Sequence, residues 1–310
     1  MEAIDGGSLA LEEKVSVSAN AASMGGSQVF LEVGEEMTVD EMLKCVVVSS
    51  ANDAAVALAE RVSGSEEAFV RLMNQRAAEL GMKNTNFENV TGLDDSVKNH
   101  TISAYDIAIA SRELITKHPK IFDYTTIWMD TVRNGEFGLS NTNRLIRFYK
   151  GATGLKTGST SKAGFCISAT AKRDGLHLIA VIMGSETRDI RNNAATTLLD
   201  WGFATFRSYI AEGGTVEGVD ICGGEKKTVT LSYPSFTKLL GRGKEKKITV
   251  EKDIPDSLIA PVAEGDVVGS VKYMCDGVEI GRVDVCVAES VNKIGFLGIL
   301  LDFFRGYFVI

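Results

Sequence analysis

Residues 49–59 read SSANDAAVALA, in which a cluster of small polar residues is followed at once by an alanine-rich helical pattern. Serine and asparagine favour caps and turns over helix interiors, so this stretch predicts a break between two helices. Residues 153–160 read TGLKTGST and predict the start of a strand. By itself, Ser50-Ala51-Asn52 fits an ordinary helix cap, and Lys156-Thr157-Gly158 fits a solvated edge strand. Because three-residue patterns recur by chance, their order and surroundings must decide what they mean.

Helix signals surround the first of these segments. Thr38-Val39-Asp40-Glu41 has the sequence of a capping box, which predicts a helix that begins there. Gly64 predicts the end of the helix that follows the break, and Ser65 predicts the start of the next one. A further helix is expected from Ser103. The chain is therefore predicted to be mainly helical up to about residue 122.

Strand signals dominate beyond that point. Asn134-Gly135 is a strong hairpin-turn dipeptide. Residues 155–172 and 176–183 are predicted to be two strands joined by a turn at Asp174-Gly175. A final helix is expected from about Thr187. This mixture of helices and strands predicts an α+β domain.

The last third of the chain has a different character. Short β-branched runs are separated by Gly, Pro and Asp turns, and they predict strands at 215–221, 227–232, 247–251, 267–274 and 278–287. We therefore expect a domain at 1–206 and a β-rich domain at 207–290, followed by a separate C-terminal segment at 291–310. A length of 310 residues suits two domains.

The composition is that of an ordinary globular protein. Hydrophobic residues make up 45% of the chain and charged residues 24%, which excludes a disordered or fibrous protein. The formal net charge is -8, which argues against nucleic acid as a partner because phosphate binding needs a basic surface. The first residues include neither a basic segment nor an apolar one, so no signal peptide is expected in this chain.

The cysteines and histidines fall in no metal-binding pattern. The five cysteines contain no C-x-x-C pair, and the three histidines contain no H-E-x-x-H arrangement. Neither a G-x-G-x-x-G nor a G-x-x-x-x-G-K-[ST] stretch occurs, so nucleotide chemistry is not expected. Cys45 and Cys166 lie in apolar runs and are predicted to be buried small hydrophobes.

The segments at 49–59 and 153–160, together with the sequence around them, resemble the low-molecular-weight penicillin-binding proteins, which are serine-type D-Ala-D-Ala carboxypeptidases. The resemblance extends over nearly the whole chain and includes 49–59, FVRLMN at 69–74, LGMKNTNF at 80–87, GLD at 92–94, TGLKTGST at 153–160, AGF at 163–165 and WGF at 201–203. The signature of this group combines S-x-x-K with an S-D-N-type triplet and K-T-G. It implies an α+β fold like that of penicillin-binding proteins and β-lactamases, with helices packed on an antiparallel sheet and a small all-β domain after it.

The resemblance also implies a reaction. The enzymes of this group remove the terminal D-Ala from a peptidoglycan stem peptide through an acyl-serine intermediate. Ser50, Asn52 and Lys156 are the catalytic residues that it implies in this chain. Ser50 would pass a proton towards the leaving amine, Asn52 would orient the base and the substrate amide, and Lys156 would supply positive charge.

The implied substrate-binding residues are Lys156, Thr157, Gly158 and Ser159. Lys156 and Thr157 would hold the terminal carboxylate of the stem peptide, and Gly158 would leave room for its backbone along the strand edge. β-Lactams are the implied inhibitors of the intact enzyme. The resemblance implies no cofactor, because serine and lysine side chains carry out this chemistry unaided.

One part of the signature is missing. The resemblance places the nucleophilic serine and its lysine base upstream of Ser50, but no S-x-x-K occurs between Met1 and Ser49. Matches occur elsewhere, at Ser159/Lys162, Ser235/Lys238 and Ser290/Lys293, and such short matches carry little weight. Because Met1–Asp5 reads like the last turns of a helix, we expect the sequence to start at an internal Met just past S-x-x-K. As given, the chain is expected to be inactive.

The C-terminal residues form an apolar segment. Twelve of the seventeen residues at 294–310 are large and apolar, and the remaining five lie on one narrow helical stripe. This pattern predicts a helix that lies in a membrane surface, and the alternative is a helix that docks on its own protein. The resemblance implies that the intact protein acts outside the cytoplasm, on the outer face of the membrane.

Two other functions compete with the carboxypeptidase. A class A β-lactamase has similar S-D-N and K-T-G segments, but it has a single domain and a deacylating glutamate, so the β-rich domain and the apolar tail favour the carboxypeptidase. A non-catalytic peptidoglycan-binding protein would keep the groove without the chemistry. The absence of S-x-x-K leaves this last alternative open.

Overall fold

The computed structural model describes residues 1–94 and 97–300. These residues form two compact units, of which the first comprises Met1–Phe203 and the second begins at Ala204. The first unit contains the helices α1 (Glu2–Asp5), α2 (Ala19–Ala22), α3 (Val39–Val48), α4 (Asn52–Ser63), α5 (Glu66–Glu79), α6 (Ala104–Lys117), α7 (Phe122–Thr125) and α8 (Leu145–Phe148). A further helix, α9 (Arg188–Thr205), begins in the first unit and ends in the second.

The strands of the first unit form three separate antiparallel sheets. They are β1 (Lys14–Ser16), β2 (Glu36–Thr38), β3 (Met129–Val132), β4 (Phe137–Ser140), β5 (Ala152–Thr160), β6 (Gly164–Arg173) and β7 (Leu176–Ser185). β1 pairs with β2 and β3 with β4, while β5, β6 and β7 form a three-stranded sheet in that order. The predicted hairpin at Asn134-Gly135 is confirmed, since it joins β3 to β4.

Local side-chain signals fix the helix ends as predicted. Thr38 Oγ1 accepts a hydrogen bond from the Glu41 N–H at 3.2 Å, and Glu41 Oε2 accepts one from the Thr38 N–H at 3.1 Å, which completes the capping box of α3. α4 ends just before Gly64, which adopts the left-handed conformation with φ of 82°. The break between α3 and α4 is confirmed at Ser49–Ala51.

The prediction of a single strand at 155–172 is wrong. The chain reverses at 161–163, so this stretch belongs to β5 and β6, which pair with each other. Thr160 Oγ1 accepts a hydrogen bond from the Ala163 N–H at 3.0 Å, and Gly164 takes the positive φ of 63° that the reversal requires. As a result, β5 is an edge strand of the three-stranded sheet, with only β6 beside it among the described residues.

A buried carboxylate anchors the loop that faces the start of α4. Asp53 is 1% exposed, and its Oδ2 accepts hydrogen bonds from the Val29 and Leu31 N–H groups, both at 3.1 Å. These two backbone donors have no strand partner, so the carboxylate meets their hydrogen-bonding requirement inside the protein. Asp53 therefore ties the loop to the junction that carries Ser50 and Asn52.

An apolar groove of about 730 Å³ lies within the first unit. Its walls come from α1, α3, α4, α5 and α6, and they include Leu43, Leu58, Met73 and Leu114. Side chains that border open space lack partner atoms on one side, so they gain less dispersion energy than close-packed ones. The apolar side chains that line this groove therefore contribute less packing energy than they would in a filled core.

The second unit is built from strands, as predicted. They are β8 (Phe206–Ala211), β9 (Gly214–Cys222), β10 (Thr228–Tyr233), β11 (Phe236–Gly241), β12 (Ile248–Asp253), β13 (Ser257–Ile259), β14 (Val267–Cys275) and β15 (Val278–Val287). Six of them form one sheet in the order β12-β14-β15-β10-β9-β13, while β8 pairs with β11. The α+β fold class with a following all-β unit is confirmed.

Most of the predicted membrane-surface segment lies outside the described residues, which end at residue 300. Residues 296–300 are helical, and Phe296 and Leu297 are exposed. No helix in the described part of the chain is both long and apolar enough to cross a membrane.

Candidate active site

The junction between α3 and α4 presents Ser50 in an unusual backbone conformation. Ser50 has a φ of 62°, a value that non-glycine residues adopt at some cost in energy. The neighbouring backbone is held firmly, because the Ala51 N–H donates to the Cys45 carbonyl at 3.1 Å and the Asn52 N–H donates to the Ser27 carbonyl at 2.8 Å. The half-buried Ser50 side chain is therefore presented from a rigid turn.

The K-T-G strand brings its lysine to this turn. Lys156 lies on β5, and its Nζ donates hydrogen bonds to Ser50 Oγ at 2.6 Å and to the Thr157 carbonyl at 2.8 Å. The S-x-N and K-T-G segments thus meet although Ser50 and Lys156 are 106 positions apart in the chain. The structure brings Ser50, Lys156 and Thr157 together at the edge strand.

The side-chain amide of Asn52 contacts the loop at Gly25. Its Nδ2 donates a hydrogen bond to the Gly25 carbonyl at 2.8 Å. A Cβ atom on Gly26 would lie 2.8 Å from the same Nδ2, so glycine is needed for this close approach. Asn52 lies two residues after Ser50 in the chain, and among the described contacts it has no hydrogen bond to Lys156.

Thr157 is buried, and its hydroxyl is linked to a residue that sequence reasoning missed. Thr157 Oγ1 donates a hydrogen bond to Thr142 Oγ1 at 2.7 Å. Thr142 itself is exposed, and the buried amides on either side of it hold it in place: Asn141 donates to the Ile127 carbonyl at 2.6 Å, and Asn143 donates to the Gly154 carbonyl at 2.9 Å. The run Asn-Thr-Asn before the K-T-G strand is the signal that could have identified Thr142.

Gly158 and Ser159 lie on the exposed end of β5. A Cβ atom on Gly158 would have no heavy atom within 4 Å, so the space beside this residue is open. The S-x-x-K match at Ser159/Lys162 does not form a pair, because Lys162 Nζ donates to the Asp94 carbonyl at 3.2 Å. The open strand edge can accommodate an extended peptide.

A second residue that the sequence did not reveal is Arg191. It lies on α9, is 3% exposed, and donates a hydrogen bond from a guanidinium nitrogen to the Cys166 carbonyl at 3.3 Å. Cys166 was predicted to be buried, but it is half-buried because it lies opposite Gly158, which has no side chain to cover it. Arg191 adds a second positive charge near the site.

The electrostatics of Lys156 follow from these surroundings. Burial, the larger cause, and the positive charge of Arg191 together lower the pKa of the Lys156 ammonium group to about 8. No carboxylate of the described residues raises the pKa of Lys156. A cation that is largely shielded from water and has no anionic partner favours the binding of an anion.

Within residues 1–94 and 97–300, no group of three or more His, Cys, Asp and Glu side chains is placed to hold a metal ion.

Comparison with known proteins identifies the family. Residues 1–187 match the family described as D-alanyl-D-alanine carboxypeptidase, and residues 205–293 match the C-terminal domain of penicillin-binding protein 5. The chain belongs to the D-alanyl-D-alanine carboxypeptidase family. The resemblance inferred from the motifs is confirmed, and so is the expected enzyme class, a serine-type hydrolase.

Individual members of the carboxypeptidase family are similar over most of this chain. D-alanyl-D-alanine carboxypeptidase DacF of Bacillus subtilis is 42% identical over 307 residues, covering 97% of this chain and 78% of DacF. The crystal structure of penicillin-binding protein 5 from Haemophilus influenzae superposes with a TM-score of 0.74 at 30% identity, over 94% of this chain and 86% of that one. The crystal structure of ampicillin-bound penicillin-binding protein D2 from Listeria monocytogenes superposes with a TM-score of 0.59 at 30% identity, over 65% of this chain and 81% of that one.

Proposed function

We propose that the first unit binds peptidoglycan stem peptides by their D-Ala-D-Ala end, as the substrate site of a serine carboxypeptidase. One observation carries this proposal: the Lys156 ammonium group, which has no carboxylate partner among the described residues, lies at the open edge of β5 and contacts Ser50. The terminal carboxylate of the peptide would take the place of the missing anion. Thr157 would add a hydroxyl hydrogen bond to the same carboxylate.

The extended peptide would lie along β5 in the manner of an added strand. Backbone hydrogen bonds would supply affinity, and Gly158 would leave space for the peptide main chain. Ser50 accepts a hydrogen bond from Lys156, which supports the proposal that it would pass a proton from the ammonium group to the leaving amine of D-Ala. Asn52, held by Gly25, would fix the substrate amide on the other side.

The hydrolysis itself needs a nucleophile that becomes acylated. A serine hydroxyl requires a base within hydrogen-bond reach, and family members use the serine and lysine of S-x-x-K. No such pair occurs between Met1 and Ser49, and Ser159 and Lys162 do not contact each other through their side chains. We therefore propose that the 310-residue chain binds the peptide without forming the acyl-serine intermediate.

This proposal predicts the result of a labelling experiment. When the purified 310-residue chain is incubated with a fluorescent penicillin and denatured, no covalently labelled band is expected. Listeria penicillin-binding protein D2, which has an ampicillin-bound structure, is the positive control under the same conditions. Stoichiometric labelling would show that a serine of this chain is acylated, and the carboxypeptidase would then be complete. Peptide binding without labelling favours the non-catalytic peptidoglycan-binding alternative for the chain as given.

We also propose that the protein works outside the cytoplasm, and that residues 294–310 hold it at the outer face of the membrane. In this arrangement, residues 1–206 would act on the cell wall, and the β-rich domain at 207–290 would serve as a spacer or a partner surface. The exposed side chains of Phe296 and Leu297 support contact with an apolar surface.

Vesicle binding tests the proposed role of the tail. The full chain is expected to sediment with phospholipid vesicles, and a variant that lacks residues 294–310 is expected to remain in the supernatant, because the apolar area for insertion is lost. Sedimentation of the shortened chain to the same extent would contradict a membrane role for the tail.

A further inference from the structure

The two ends of β5 differ in how much of the strand is open. At its start, Asn143 Nδ2 donates a hydrogen bond to the Gly154 carbonyl at 2.9 Å and covers the strand. Towards its other end, Gly158 and Ser159 are exposed. A peptide whose carboxylate binds at Lys156 would therefore extend over this exposed stretch, towards the turn that joins β5 to β6.

The loop between α5 and α6 contacts the hairpin at this open end. Asp94 Oδ2 accepts a hydrogen bond from the Lys162 N–H at 3.3 Å. The Thr160 hydroxyl also hydrogen-bonds to this carboxylate and is the largest cause that holds the pKa of Asp94 below its usual range. The ionised carboxylate therefore ties the loop to the last residue of β5 and to the turn that follows.

The residue before Asp94 lies on the Asn52 side of the site. A Cβ atom on Gly26 would lie 3.2 Å from Leu93 Cδ2 and 2.8 Å from Asn52 Nδ2, so the leucine side chain and the amide both border Gly26. The Leu93 carbonyl accepts a hydrogen bond from Asn89 Nδ2 at 2.8 Å, which fixes the loop. Leu93 and Asp94 therefore connect the Asn52 side with the hairpin end of β5, and we call these two residues the bridge segment.

The bridge segment and Ser50 contact the same face of β5. The pairing of β5 with β6 is regular from Gly154 to Thr160, so side chains alternate between two faces, and Lys156, Gly158 and Thr160 share one of them. On that face, Lys156 contacts Ser50 and Thr160 contacts the bridge segment. Gly158 lies between these two contacts, with open space beside it. At about 3.3 Å per residue, the stretch from Lys156 to Thr160 is about 13 Å long.

This length corresponds to about four residues of extended peptide. The last two residues of the peptide would lie beside Thr157 and Gly158, where Lys156 and Thr157 have their own contacts with other elements. The third and fourth residues from the end would lie beside Ser159 and Thr160, where the bridge segment supplies the contact from outside the hairpin. A strand that is already ordered loses less conformational entropy when it binds a peptide, so the bridge segment would favour binding of these two outer residues.

We propose that the bridge segment marks the outer end of the peptide site, and that Asp94 is a positioning residue that prepares Ser159 and Thr160 to bind the third and fourth residues from the D-Ala end. This inference rests on the proposed function, because it starts from a carboxylate bound at Lys156 and Thr157. Beyond Thr160 the chain turns into β6 and the strand edge ends, so further peptide residues would add no strand-type hydrogen bonds. The site would thus recognise about four residues of the peptide.

A series of peptides of increasing length tests the outer end of the site. N-acetylated peptides of two to six residues all end in D-Ala-D-Ala, and the longer ones are extended with L-alanine. In calorimetric titrations of the 310-residue chain, the affinity is expected to rise about three- to tenfold from two to four residues, as one or two added backbone hydrogen bonds allow, and to stay constant from four to six.

Each other outcome of the series has a definite meaning. A further rise of the same size from four to six residues would overturn the inference. Equal binding of all lengths would also overturn it and would leave the D-Ala-D-Ala proposal intact. Binding of no peptide would overturn the proposed function together with this inference.

Variants of Asp94 test the positioning role. Asp94→Ala is expected to bind the two-residue peptide as the unmodified chain does, but to lose the gain from two to four residues. Asp94→Asn keeps an oxygen acceptor for the Lys162 N–H, so it should keep most of the gain. The control Asp123→Ala removes an exposed carboxylate from α7 and should keep all of it.

The length dependence separates positioning from a general effect on the fold. A gain in Asp94→Ala equal to that of the unmodified chain would overturn the positioning role. An equal loss of affinity at every peptide length would show a general effect and overturn it as well. Thr160→Val removes one hydrogen bond to the carboxylate and should lose part of the gain, so it provides the same test if Asp94→Ala does not fold.

Discussion

A Lys156→Met variant of this chain is expected to lose about 10- to 100-fold in affinity for peptides that end in D-Ala-D-Ala. The reason is that a hydrogen bond to a charged group contributes about 1.5–3 kcal/mol, and the variant removes the ammonium group that would bind the terminal carboxylate. Thermal unfolding should show no loss of stability, because burying a cation without an anionic partner disfavours the folded state. Titration calorimetry and a melting curve measure the two effects on the same sample.

A matched lysine on the same hairpin serves as the control. Lys162 lies at the exposed turn between β5 and β6, and Lys162→Met should leave the affinity for the peptide nearly unchanged. If Lys156→Met binds the peptide as tightly as the unmodified chain does, the carboxylate lies elsewhere and the proposed substrate site is wrong. A general loss of binding in both variants would point to non-specific charge attraction instead.

The largest effect on stability is expected from Asp53→Ala. The substitution leaves the Val29 and Leu31 N–H groups buried without an acceptor, and each such group costs about 1–3 kcal/mol. We therefore expect the free energy of unfolding of the first unit to fall by about 3–5 kcal/mol, which urea denaturation followed by circular dichroism can measure.

Two companion variants separate the causes. Asp53→Asn keeps one side-chain oxygen as an acceptor, so its loss of stability should be intermediate. Glu136→Ala removes an exposed carboxylate in the β3–β4 turn and should change the stability by less than about 0.5 kcal/mol. A loss as small in Asp53→Ala as in Glu136→Ala would show that water reaches the loop, and that the carboxylate does not anchor it.

Signals that act over a few residues predicted the helices well. The capping box at Thr38, the serine caps at Ser65 and Ser103, and the stop at Gly64 depend on contacts within one helical turn, so the sequence carries them directly. The hairpin at 161–163 was missed because its turn residues form no strong turn dipeptide. β8 was missed because its apolar residues continue the pattern of α9, and its partner β11 lies 25 residues away or more.

The site shows the same division between local and distant contacts. The K-T-G and S-x-N segments could be recognised by resemblance, but neither segment contains a sign that Lys156 contacts Ser50 at 2.6 Å. Arg191 lies 35 positions beyond Lys156 on the inward face of a helix, where an arginine has no visible role until the fold is known. Thr142 has an exposed side chain between two buried amides, and the Asn-Thr-Asn run does not by itself show that Thr142 contacts Thr157. The functions of Ser50, Asn52, Lys156, Thr157, Gly158 and Ser159 remain predictions.

The lowered pKa of Lys156 has a consequence for any titration of this site. Near pH 8, about half of the molecules have a neutral lysine, because its pKa is lowered to about 8. A bound carboxylate favours the charged form, so binding raises that pKa and draws protons from the solution. The measured heat then includes the ionisation heat of the buffer, and the same ligand gives different apparent enthalpies in different buffers. The affinity itself falls as the pH rises through about 8, because fewer molecules carry the proton that the anion requires.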